Sequence, residues 1–104
     1  MFKHTIRKDK FEALKYDYKL KQEKDQFGDY YTTFKGMSWE EQKLTKLYNE
    51  EKQQAIREHF KQYSEFDISN EALQDLLERK KAVFDKYFTI TGDFMLTITF
   101  KPTN

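Results

Sequence analysis

Phe88-Thr89-Ile90-Thr91-Gly92-Asp93-Phe94-Met95-Leu96-Thr97-Ile98-Thr99-Phe100 is the stretch that decides the fold, because apolar and polar side chains alternate on both sides of a Gly-Asp break. A period of two marks a half-buried strand, and two such runs around Gly92-Asp93 predict an antiparallel hairpin. A two-residue turn would leave Phe94 and Leu96 on the face opposite Ile90. A three-residue Thr91-Gly92-Asp93 loop instead pairs Ile90 with Phe94 and Phe88 with Leu96. It gathers Phe88, Ile90, Phe94, Leu96, Ile98 and Phe100 on one face, as burial favours. Pro102 ends the pairing.

Upstream of Phe88 the period changes to that of a helix. Leu73, Leu76, Leu77, Phe84, Tyr87 and Phe88 form one stripe, Ser69 is placed to cap its start, and Ile68 and Leu73 occupy the positions of a hydrophobic staple. Lys80 interrupts the stripe, and the simplest reading lays its stem along apolar surface with the ammonium in water. Asp75 and Arg79 have the i, i+4 spacing of a modest ion pair.

An earlier helix is announced by Ser38 and Glu41, the spacing of a capping box, with Glu40 and Glu41 set against the helix dipole. Leu44, Leu47, Tyr48, Glu51 and Ala55 share one face. Ile56, Phe60 and Tyr63 lie on another, rotated by about 120° at 100° per residue. The two sets require either a bend near Asn49 or two halves that pack on different elements. Between Phe27 and Met37, turn residues bracket Tyr30 to Phe34, which fits a short strand or a packed loop.

At the N-terminus, Phe2, His4 and Ile6 alternate with Lys3, Thr5 and Arg7 and predict a short strand. Asp9 stands three residues before Glu12, again a capping-box spacing, so a helix is expected from about Lys10 to about Asp25 with Gly28 as its terminator. Strict alternation of Leu14, Tyr16, Tyr18 and Leu20 with charged residues is the competing strand signal. On a helix, Phe11, Leu14 and Tyr18 fall on one face and Tyr16 on nearly the opposite one. The expected fold is α+β: a small antiparallel sheet, made of the N-terminal strand and the C-terminal hairpin, packed against two or three helices. Residues 1–104 form a single domain in this reading.

Composition supports one core in 104 residues. With one Val and eight Leu against ten Phe and seven Tyr, the interior is expected to be built mainly from Phe, Tyr, Leu and Ile, each large ring burying about 150–250 Å². Without cysteine there are no disulfides or thiolate chemistry. No apolar run suits a signal peptide or membrane span, so the cytoplasm, of the cell itself or of a host, is the expected location. Sixteen Lys against three Arg is the signature of AT-rich coding. A short chain of that composition without motifs fits a phage or mobile-element accessory protein. The net charge of +1 hides an asymmetry: residues 1–24 hold eight basic and four acidic side chains, a local +4.

No motif joins these residues into a catalytic, cofactor or metal site. His59 follows Glu58, and adjacent helical residues diverge by about 100°, so the pair cannot converge on a metal. Ser38 and Ser69 read as caps. Asp25 to Asp29 has Phe27 where a calcium loop needs a ligand oxygen, and no glycine-rich phosphate cradle exists. A non-enzymatic protein-binding module without a cofactor is therefore expected, of the kind that inhibits or regulates a host protein. Its partner face is Lys15, Tyr16, Lys19, Leu20, Lys21 and Lys24. The alternative is a nucleic-acid-binding accessory protein, with Lys15, Lys19, Lys21 and Lys24 on phosphate and Tyr16 or Tyr18 stacked on bases.

Overall fold

A computed structural model describes the protein over residues 2–18, 22–24, 30–32 and 37–102. Strand β1 (His4–Arg7) runs directly into helix α1 (Lys8–Leu14). Two three-residue strands, β2 (Gln22–Lys24) and β3 (Tyr30–Thr32), pair with each other. Helices α2 (Trp39–Gln62) and α3 (Asn70–Tyr87) follow, then strands β4 (Phe88–Thr91) and β5 (Met95–Phe100). The main sheet is antiparallel in the order β1-β5-β4, so the N-terminal strand joins the C-terminal hairpin. The α+β architecture expected from the sequence is the one observed.

The hairpin register differs from the expected one. Phe88 faces Phe100 and Ile90 faces Ile98, so β4 meets the second half of β5, while Leu96 and Met95 pair with Ile6 and Arg7 on β1. The Phe94 carbonyl accepts from the Lys8 amide at 2.8 Å, which commits the start of β5 to the opposite edge. Because the slip is by an even number of residues, facing is preserved: Phe88, Leu96 and Ile98 are buried. Phe94 is lost from the set and stands 87% exposed beyond the strand. Gly92 turns the chain at φ +105°, where an added Cβ would run into the Met95 carbonyl oxygen.

Helix α1 is the main correction. It ends at Leu14 instead of near Asp25, and Asp9 does not cap it: the N-cap is Arg7 with no side-chain bond, and Asp9 accepts from the Lys10 amide inside the first turn. Lys15 (φ 49°) and Tyr16 (φ 60°) are both left-handed. The reason lies in the aromatic core. A continued helix would point Tyr16 and Tyr18 about 200° apart, so only one ring would reach the interior. Breaking it lets both touch Phe84, at 5.7 and 5.6 Å between ring centroids. The strand alternative is not realised over these residues either. Gly28 lies outside the described residues, as does the Asp25–Asp29 stretch.

The Ser38 capping box is formed in full: the Glu41 amide donates to Ser38 Oγ at 3.1 Å and the Ser38 amide to Glu41 Oε1 at 3.0 Å. The helix it starts is unbroken from Trp39 to Gln62, so no second segment begins at Asn49. The two halves pack on different elements. Tyr48 reaches the sheet through Phe88 (4.9 Å), whereas His59 meets Asp75 of α3 at 2.8 Å.

The face α2 buries is polar. Glu41, Thr45, Tyr48, Lys52 and His59 are its buried residues, while Leu47 and Phe60 remain exposed. Each has a partner. Glu41 accepts from the Phe2 amide at 2.7 Å, and Thr45 donates to the Glu41 carbonyl at 2.9 Å. The Tyr48 hydroxyl and the Lys52 ammonium both donate to the Tyr18 carbonyl, at 2.7 and 3.0 Å. Burial pushes the Glu41 carboxyl up, yet the Ser38 and Phe2 amides together hold it below the ordinary carboxylate value. Among the described residues no buried side-chain polar atom lacks a partner, as a low-dielectric interior demands.

Candidate functional site

Ser69 caps α3 as expected, accepting from the Ala72 amide at 3.2 Å. The stripe it begins divides in two. Phe84, Tyr87 and Phe88 are in the core, but Leu76 and Leu77 are only half-buried and Leu73 is 51% exposed. Ile68 is 81% exposed, so neither staple position is buried. The cause is the early end of α1. Seven residues extend only about 10 Å against about 27 Å for the eighteen of α3. Phe11 of α1 reaches Phe84 at 5.5 Å, and nothing of α1 remains to cover the preceding turns.

What is left is a trough of about 490 Å³ between α1 and the first half of α3, floored by Phe11, Leu73, Leu76 and Leu77. Tyr16 walls the end nearest Phe84, and Lys15 and Lys80 stand on its rim with Glu12, Asn70 and Gln74. Lys80 is half-buried, which agrees with a stem laid on apolar surface. Among the described residues neither Lys15 nor Lys80 forms an ion pair, although Lys81, the neighbour of Lys80, lies 3.7 Å from Asp85.

The lip of this trough is the strained part of the backbone. Two successive non-glycine residues at positive φ are uncommon, and each costs about 1–3 kcal/mol unless its surroundings hold it. Tyr16 is held by edge-on contact with Phe11 (5.6 Å, 86°). The Lys15 amide donates to the Glu12 carbonyl at 3.1 Å, and the Asp17 amide to Leu14 at 2.9 Å. The corner therefore fixes Lys15 at the rim and Tyr16 in the wall.

Of the six expected partner-face residues, the structure brings Lys15 and Tyr16 to this trough. Lys24 stands in β2, paired with Tyr30. Lys19, Leu20 and Lys21 lie outside the described residues. The chain matches no protein-family model, no curated protein and no solved structure. Function must be argued from the site alone. Sequence reasoning joined the leucines of α3 to Phe84, Tyr87 and Phe88 in one stripe and so missed them as surface. The available signal was the polar company they keep, with Asn70, Gln74 and Lys80 flanking the stripe.

Two other clusters are structural in geometry. His59 is 3% exposed, stacked on Tyr63 at 5.0 Å, and shares Asp75 Oδ2 with Arg79 at 2.8 and 2.7 Å. The bonds from His59 and Arg79 hold the Asp75 carboxyl below its ordinary range. This joint ties the last turn of α2 to α3. His4 Nδ1 lies 2.9 Å from the Tyr18 hydroxyl. Tyr18 itself is 2% exposed, which removes the base-stacking role considered for it. Among the described residues no three His, Asp or Glu side chains converge as metal ligands, and no helix is long and apolar enough to cross a membrane.

Proposed function

We propose that the protein is a non-enzymatic protein-binding module, an inhibitor or regulator that takes an apolar segment of its partner into the trough between α1 and α3. The observation that carries this reading is the set of half-exposed leucines, Leu73, Leu76 and Leu77, aligned on one floor beside an aromatic wall. Interfaces draw their affinity from a few apolar and aromatic anchors inside a polar rim. Here the floor supplies pockets for such anchors and the rim supplies Lys15, Lys80, Asn70 and Gln74. The strained corner at Lys15 and Tyr16 supports the same reading, since strain of this kind collects at ligand clamps.

The test is affinity capture with the wild-type protein and with Leu73→Asp, each with and without nuclease, read by mass spectrometry. The expected result is a protein retained after nuclease treatment by the wild type and lost with Leu73→Asp. A capture profile identical for the two proteins would remove the trough from the function.

A further inference from the structure

We infer that the occupant of the trough is an amphipathic helix of the partner, presenting apolar residues at i, i+3 or i+4 and i+7 to the leucine floor and a carboxylate to Lys15 and Lys80. This rests on the protein-binding reading of the same trough.

Backbone chemistry selects a helix. Among the described residues the trough is lined by side chains of α1, α3 and the corner between Lys15 and Tyr16, and by none from a strand. An extended peptide laid over Leu73, Leu76 and Leu77 would find no sheet edge among the described residues to pair with, and its amide and carbonyl groups would be buried unsatisfied. A helix satisfies its own backbone and offers only side chains, which is the helix-in-groove mode of recognition.

Length agrees. From Asn70 to Lys80 the trough follows α3, a rise of about 15 Å at 1.5 Å per residue. Apolar residues at i and i+7 are about 10 Å apart on a helix, so three anchors fit along the floor. The half-exposed Leu73 leaves the trough too open to enclose a small molecule, whose sites commonly bury about 70–90% of the ligand.

Charge sets the polarity of the occupant. Phe84 lies one turn beyond Lys80, and Tyr16 touches it, so Tyr16 and its neighbour Lys15 belong to the same end of the trough as Lys80. Two ammonium groups without ion-pair partners among the described residues therefore meet at one end, against the single carboxylate of Glu12. The opposite end carries the neutral Asn70 and Gln74. An acidic residue one turn beyond the last anchor complements that end.

The experiment is selection of displayed peptides of about sixteen residues, four helical turns, on the full-length protein. Binders are then synthesised and measured by fluorescence anisotropy and circular dichroism. The expected binders converge on the i, i+3/i+4, i+7 pattern with an acid at one end and gain helicity when bound. They lose at least ~10-fold in affinity to Leu73→Asp and about 5-fold to Lys80→Glu, and exchanging the peptide acid for Lys restores binding to Lys80→Glu. Phe94→Asp, at the far hairpin tip, leaves affinity unchanged. Binders that depend on Leu73 but stay extended would overturn the helical occupant and leave the protein-binding reading standing. Absence of any Leu73-dependent binder would overturn both. Indifference to the charge exchange would overturn the assigned carboxylate.

Discussion

Replacing Phe84 by Ala should cost this protein a large part of its stability. The side chain is fully buried, and its ring centroid lies 5.5 Å from Phe11, 5.7 Å from Tyr16, 5.6 Å from Tyr18 and 5.0 Å from Phe88. Removal of a buried Phe ring costs about 3–5 kcal/mol through lost transfer energy and the cavity left behind. Aromatic pairs contribute about 0.5–1.5 kcal/mol each beyond burial. The upper part of the range applies here, because the four neighbours come from α1, the corner, the segment after it and β4. None can fill the void without moving a separate piece of chain. About 4–5 kcal/mol is expected, against about 5–15 kcal/mol for a whole domain of this size. Leu77→Ala, on the half-buried floor of the trough, should cost only about 1 kcal/mol. Urea denaturation with the slope m compared between variants measures both. Equal costs for the two substitutions, or a Phe84→Ala cost below about 2 kcal/mol at unchanged m, would refute the division of α3 into a core half and an uncovered half.

Ile98→Lys should abolish folding, since Ile98 is wholly buried on the central strand, while Phe94→Lys should be silent; similar melting curves for the two would contradict the observed facing. Burial pushes the hydroxyls of Tyr18 and Tyr48 well above their ordinary value, and burial with a Glu51 hydrogen bond pushes Tyr87 up to about 12. Each raised value means stability that is present below about pH 10 and lost as the pH rises further, so tyrosinate absorbance should show these three rings ionising only together with unfolding; their early titration in a folded protein would count against the assignment. Lys15→Gly should leave stability unchanged or raise it by up to about 1 kcal/mol, because glycine adopts φ 49° without strain, yet weaken peptide binding; a clear loss of stability would mean that the corner is not strained. Labelled single- and double-stranded oligonucleotides should show only weak, salt-sensitive association, and submicromolar binding at physiological salt would replace the protein-binding reading with a nucleic-acid one.

The starts of α2 and α3 and the facing of the hairpin strands were legible because they are local. Ser38 with Glu41 and Ser69 with Ala72 form caps within three residues, and alternation in Phe88–Phe100 keeps the same facing under any even slip of register. Register itself was not legible, since it depends on β1 competing for Met95 and Leu96, residues some ninety positions away. The end of α1 escaped for the same reason: its composition is compatible with a longer helix, and only the distant Phe84 ring requires Tyr16 and Tyr18 to share a side. The polar seam of α2 was hidden because helical periodicity was sought among apolar residues. Glu41, Thr45, Tyr48, Lys52 and His59 do recur at spacings of three, four and seven, but a charged residue announces burial only through a partner elsewhere in the chain. Of the candidate face, Lys15 and Tyr16 were found through local charge and aromaticity. The leucines beside them were not, because exposure of an apolar stripe is a property of what fails to cover it.

The trough and the core are consequences of one choice. A chain with few aliphatic residues gathers Phe11, Tyr16, Tyr18 and Phe88 around Phe84, and that requires α1 to stop at Leu14 in two left-handed residues. Stopping there uncovers Leu73, Leu76 and Leu77. A helix continued to about Asp25 would have extended about 24 Å, long enough to lie along most of α3, at the expense of one tyrosine in the core. The polar seam of α2 does not compensate, because Lys52, Glu41 and His59 are already matched to Tyr18, Phe2 and Asp75 and it leaves the far side of α3 open. An apolar floor created in this way is covered within the monomer by nothing among the described residues, and the helix proposed for the partner would bury it without leaving backbone groups unsatisfied.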